Sequence, residues 1–128
     1  MRDRDLLENL ENCTLPPDQF SHRAHVHAAW ICLQEASLLT ALPRFSEAIR
    51  RYATSLGAAA KYHETITWAF LFLIHERMQR GPQPTFQSFA DANPDLFTDI
   101  LNTLYRPETL ASELARGTFV LPDRLDVG

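Results

Sequence analysis

At 128 residues, with 45% hydrophobic and 22% charged side chains, the chain has the size and composition of one globular domain that buries a core without disulfide or metal staples. Its net charge of -4 supplies no concentrated basic face, which excludes nucleic acid as the expected partner. The longest apolar run, Trp68 to Ile74, is far short of the roughly 20 residues that cross a bilayer.

The start, Met1-Arg2-Asp3-Arg4-Asp5, mixes charges and lacks the apolar core of a signal peptide. Cys13 and Cys32 have no Cys-x-x-Cys spacing, so they read as reduced thiols of a cytoplasmic protein.

Helical periodicity runs through most of the chain. A short first helix is expected over Asp5 to Asn12, with Leu6, Leu7 and Leu10 on one side and Pro16-Pro17 as its stop. Ser21 is an N-cap for a second helix reaching about Ser37, with Val26, Trp30 and Leu33 on one stripe and His22, His25, Ala29 and Cys32 on the next. A third helix is expected to begin between Thr40 and Pro43 and to end at Gly57, since Leu42, Phe45, Ile49, Tyr52 and Leu56 recur at helical spacing. The fourth should begin soon after Gly57, run to Arg80 and be buried on more than one face.

Beyond Gly81 the pieces shorten. Thr85 caps a short helix holding Phe86 and Phe89, Asn93-Pro94 starts another reaching about Tyr105, and Pro107 starts a last one to Arg116. The tail Thr118 to Pro122 is expected to lie extended over the bundle. The fold expected is all-α, a single domain over 1–128 with four or five main helices.

Two short words carry the functional signal, Phe20-Ser21-His22-Arg23-Ala24-His25 and Lys61-Tyr62-His63-Glu64-Thr65, each at a helix start. Short connections favour antiparallel neighbours, so the second and fourth helices should begin at the same end of the bundle. Positions three apart lean toward one partner, which lets His22 and His25 face His63. Helix N-termini disfavour imidazolium, and neutral imidazoles are what metal ligation needs.

Three nitrogens with one carboxylate suit iron, manganese, zinc or nickel. The leading expectation is therefore a metal-dependent enzyme with His22, His25 and His63 as ligands and Glu64 as fourth ligand or general base. Lys61 and Tyr62 would orient an anionic organic substrate, and no organic cofactor is evident. The alternatives are metal-free acid and base catalysis by His63 and Glu64, or a helical binding module whose histidines are structural. His27 is turned away from the His22 and His25 row and reads as exposed, and His75 lies three turns beyond Glu64, outside the cluster. Tyr62 and Tyr105 could each donate to a substrate or simply pack a ring. The outer faces of helices two and three leave room for a homodimer.

The same words carry a resemblance. The chain resembles a group of small, uncharacterised bacterial helical proteins with a Phe-x-His-x-x-His-x-x-x-Ala-Trp segment (here Phe20 to Trp30), a Lys-Tyr-His-Glu-Thr segment (Lys61 to Thr65), Asn93-Pro94, and a Tyr-x-Pro-Glu-Thr-Leu stretch (Tyr105 to Leu110). The resemblance implies that His22, His25, Lys61, Tyr62, His63, Glu64 and Thr65 form one site, with Thr65 among the substrate-binding residues. It implies no particular cofactor or reaction.

Overall fold

Side-chain caps set the starts of the longer helices. The computed structural model describes residues 3–124, so Met1 and Arg2 of the mixed-charge start lie outside it. Seven α-helices follow one another: α1 (Asp3–Glu11), α2 (His22–Glu35), α3 (Leu38–Ser55), α4 (Glu64–Arg80), α5 (Phe86–Ala92), α6 (Pro107–Leu110) and α7 (Glu113–Gly117). Single 3-10 turns lie at Pro17–Gln19, Ala59–Lys61, Pro94–Phe97 and Ile100–Thr103. The described residues contain no strand, and none of their helices is long and apolar enough to cross a membrane.

Ser21 caps α2 by accepting the Ala24 N–H, as its position before the histidine word implies. The third helix starts earlier than expected. Ser37 accepts the Thr40 N–H and opens α3 at Leu38, so Pro43 falls in the sixth helical position, not the first turn. Proline has no N–H for the carbonyl four residues back, here Leu39, and the helix continues through that gap because Ala41, Leu42 and Phe45 around it are buried.

At the other end Gly57 has φ +70°, donates to the Thr54 carbonyl and lets Ala58 reach the Ala53 carbonyl. This is the left-handed termination that glycine favours. The end of α1 repeats it without glycine: Cys13 has φ 60°, its N–H bonds to Leu10, and Thr14 reaches back to Asn9.

The middle of α2 is packed nearly all round, with Val26, Ala28, Ala29, Trp30, Ile31 and Cys32 all buried. It meets Leu6, Leu7 and Leu10 of α1, Leu42, Phe45 and Tyr52 of α3, and Phe70, Leu71 and Ile74 of α4 in one core. Exposed residues of α2 lie only toward its ends, so this helix does not offer the free outer face expected of it. Arg44 of α3 ties the assembly together, gripping both Glu11 carboxylate oxygens at 2.8 and 3.0 Å and Glu35 at 3.2 Å. Arg51 donates to the Glu11 carbonyl at 3.1 and 3.2 Å. Burial pushes the Cys32 thiol up to about 11, the behaviour of a core residue. Both cysteines are free thiols.

The C-terminal third departs from the expected boundaries. The stretch after Asn93 makes two 3-10 turns instead of one helix, because the Asn93 side chain does not cap the segment that follows. It donates to the Phe89 carbonyl and accepts from Arg77, whose guanidinium also grips Asp95 at 2.7 and 2.8 Å. The last segment divides into α6 and α7, with Ser112 starting α7 by accepting the Ala115 N–H.

The tail then runs extended across α4, as expected. Phe119 stacks on Trp68, and the Tyr105 hydroxyl, buried at the core edge, donates to the Val120 carbonyl at 2.6 Å. Gly57→Ala should lower unfolding stability by about 1 kcal/mol, since a Cβ in the left-handed region is strained although nothing lies within 4 Å of it. Urea denaturation of the two proteins measures the difference.

Candidate functional site

The antiparallel course of α2, α3 and α4 brings the two histidine words to one cleft. It has a volume of about 280 Å³ and is lined by Phe20, Ser21, His22, His25, Ile49, Lys61, Tyr62, His63, Ile66 and Thr67. A cleft of about 340 Å³ between α4 and the tail is more apolar; its carboxylate, Glu76, pairs with Arg80 at 3.6 Å, and the Tyr105 hydroxyl there is engaged by the chain itself. The smaller cleft is the one where titratable groups converge.

His63 is not inside α4 but is its N-cap. Its Nδ1 accepts the Ile66 N–H at 3.1 Å, and its Nε2, 2.7 Å from the Leu110 carbonyl, donates to it. The pair of partners fixes the neutral tautomer protonated on Nε2 and leaves neither nitrogen free. His22 behaves similarly on one side, its Nε2 donating to the Leu96 carbonyl at 2.9 Å. Both rings thus satisfy carbonyls in the short C-terminal segments.

His25 has no hydrogen-bond partner among the described residues. Its ring stacks on Phe45 at 5.5 Å and 19° and meets the edges of Phe20 and Phe70 at 5.9 and 6.0 Å. Burial against these rings, reinforced by His22 nearby at 6.2 Å between centroids, lowers its pKa to about 4. His25 is therefore a neutral imidazole at physiological pH.

Glu64 turns away from the cleft. The Tyr62 hydroxyl donates to one carboxylate oxygen and Arg50 lies 3.4 Å from the other, with the guanidinium 4.8 Å above the Tyr62 ring. Burial first, and the bond to Glu64 second, push the Tyr62 phenol up to about 12. Tyr62 consequently presents its ring to the cleft while its hydroxyl is committed to Glu64. Arg50 of α3 thus lies beside the start of α4, a proximity that nothing in a one-dimensional pattern shows.

Thr65 has no part in the cleft. Its buried hydroxyl donates to the Thr118 carbonyl at 2.8 Å and accepts the Val120 N–H at 3.1 Å, which anchors the tail. Lys61 is exposed at the rim and has no ion-pair partner among the described residues. His27, expected to be exposed, is half-buried: its ring lies parallel to Phe86 at 4.0 Å, and Nε2 sits 3.0 Å from Asp3, out of line for a hydrogen bond. His75 stays outside the cluster, as expected.

The structure thus gathers His22, His25, Lys61, Tyr62 and His63 and separates Glu64 and Thr65 from them. Among the described residues no group of three or more His, Cys, Asp or Glu is placed to hold a metal ion. A set of His22, His25, His63 and Glu64 requires His63 and Glu64 to give up the partners just described, so the donors as arranged do not fit an ion. Comparison with known proteins gave no match to a family model, a curated protein or a solved structure.

Two measurements follow. His63→Ala removes both a cap and an anchor and should cost about 2 kcal/mol, whereas His63→Asn, which can still cap, should recover about half of it in thermal denaturation. For His25 the folded pKa lies below the unfolded one, so the unfolded chain binds more protons between them. Stability is therefore full above about pH 6.5 and falls as the pH drops toward 4. His25→Phe should flatten that part of the Tm profile.

Proposed function

We propose that the protein is a small-molecule enzyme that holds an anionic organic substrate in the cleft between the starts of α2 and α4 and moves a proton through His25. The observation that carries this reading is the difference among three imidazoles sharing one cleft. Two are engaged with backbone groups, and His25 alone is without a hydrogen bond. A titratable group perturbed by burial inside a cleft is a mark of functional sites.

Lys61 supplies a positive charge at the rim that is unpaired among the described residues, and the rings of Phe20 and Tyr62 supply flat apolar walls. A carboxylate arriving beside His25 favours the imidazolium and raises its pKa. The resting group is too weak a base to hold a proton near neutrality. The bound anion makes it a better one, so substrate binding itself prepares the proton transfer. His22 and His63 position the walls, and the Arg50, Glu64 and Tyr62 cluster fixes the Tyr62 ring. A cytoplasmic location accords with the two free thiols.

Calorimetric titration with propionate and benzoate tests the reading. Binding is expected to take up protons, seen as an enthalpy that changes with the ionisation heat of the buffer, and the uptake should vanish in His25→Gln. Lys61→Met should weaken binding at least several-fold. Carboxylate binding with no proton uptake would favour the second reading, a helical binding module, which the backbone roles of His22 and His63 support. The metal-dependent reading is tested by titrating untagged protein with zinc and nickel. One-to-one binding that is lost in His63→Asn would restore it; no His63-dependent binding is expected.

A further inference from the structure

The cleft does not end at His22. A second depression of about 510 Å³ continues on its far side, lined by His22, Ile66, Phe97, Thr98, Asp99, Leu101, Asn102 and Leu110. His22 and Ile66 line both, and the hydrogen bond from His63 to Leu110 joins a wall of one to a wall of the other. The two lobes are therefore one bilobed groove, partitioned by an imidazole and a branched aliphatic side chain.

Their charges are opposite. Lys61 lines the first lobe, which contains no carboxylate, and Asp99 lines the second, which contains no lysine or arginine. Neither side chain has an ion-pair partner among the described residues, although nine other charged side chains are drawn into pairs, Arg44 with Glu11 and Glu35, Arg50 with Glu64, Arg77 with Asp95, and Arg80 with Glu76, His27 with Asp3 aside. Thr98 and Asn102 beside Asp99 add hydrogen-bonding side chains suited to an ammonium or an amide.

From this geometry we infer that the ligand of the groove is an elongated zwitterion of dipeptide length, its carboxylate at Lys61 and His25 and its ammonium at Asp99. The inference rests on the functional reading above and specifies its substrate class. The ammonium and carboxylate of a single α-amino acid share one carbon, whereas this placement puts the two charges in different lobes on either side of His22 and Ile66. A dipeptide, at about 3.3–3.6 Å per extended residue, separates its ends enough to place one charge in each lobe. The apolar walls, Phe20, Ile49, Ile66 and Phe97, receive its side chains.

The test uses the dipeptide Ala-Phe, its N-acetyl form and its C-terminal amide, with propionate as the single-charge control, and follows backbone amide shifts of the 15N-labelled full chain. Ala-Phe should bind at least ten-fold more tightly than either blocked form. Asp99→Asn should abolish the discrimination against the N-acetyl form, and Lys61→Met the discrimination against the amide. Both side chains are exposed, so folding is preserved. Equal affinity for the free and N-acetyl dipeptides, or binding insensitive to Asp99→Asn, overturns the zwitterion while propionate binding at Lys61 leaves the anion-binding reading standing. Failure of both dipeptide and propionate to shift residues of either lobe overturns the two together.

Discussion

His63 makes two hydrogen bonds with one imidazole, and the arrangement of the site depends on them. Through Nδ1 it accepts the Ile66 N–H and starts α4; through Nε2 it donates to the Leu110 carbonyl and ties down the end of α6. A helix start carries N–H groups without helical acceptors, and a helix end carries carbonyls without helical donors. A neutral imidazole can serve one of each at once, since it has one acceptor and one donor nitrogen. His22 repeats half of the device with Leu96. The consequence is that the short C-terminal segments, which have too few residues to hold themselves, are fastened to the beginnings of α2 and α4.

That fastening distributes roles among residues that look equivalent in the sequence. His22, His25 and His63 are all near helix starts, and all line the cleft, yet among the described residues only His25 is left without a hydrogen-bond partner. Its environment of Phe20, Phe45 and Phe70 keeps it neutral, whereas the engagement of the other two keeps them in place. Glu64 is similarly diverted by Arg50 and Tyr62, which converts a candidate base into a support for the cleft wall. The positive rim at Lys61 and the negative one at Asp99 face the groove without ion-pair partners among the described residues.

Much of the frame was legible in one dimension. Ser21, Thr85 and Gly57 mark their helix ends by side-chain capping and by the left-handed turn that glycine allows, and these are local effects. The short link between α2 and α3 implies antiparallel packing, so the meeting of the two histidine words followed from the sequence as well. Local rules failed where a distant partner intervened. Asn93 serves Phe89 and Arg77 and so leaves the next segment to 3-10 turns, and Pro43 is carried inside α3 by the burial of its neighbours.

Periodicity, caps and connection lengths act between residues close in the chain, so an all-α bundle and the end of it where histidines gather can be read in one dimension. What each of those histidines does cannot, because it is set by packing. The acceptors of His22 and His63 lie 74 and 47 residues away, and Arg50 reaches Glu64 from another helix. A nitrogen's availability for chemistry depends on which partner it already has, and that is fixed by packing between segments, not by the pattern within one.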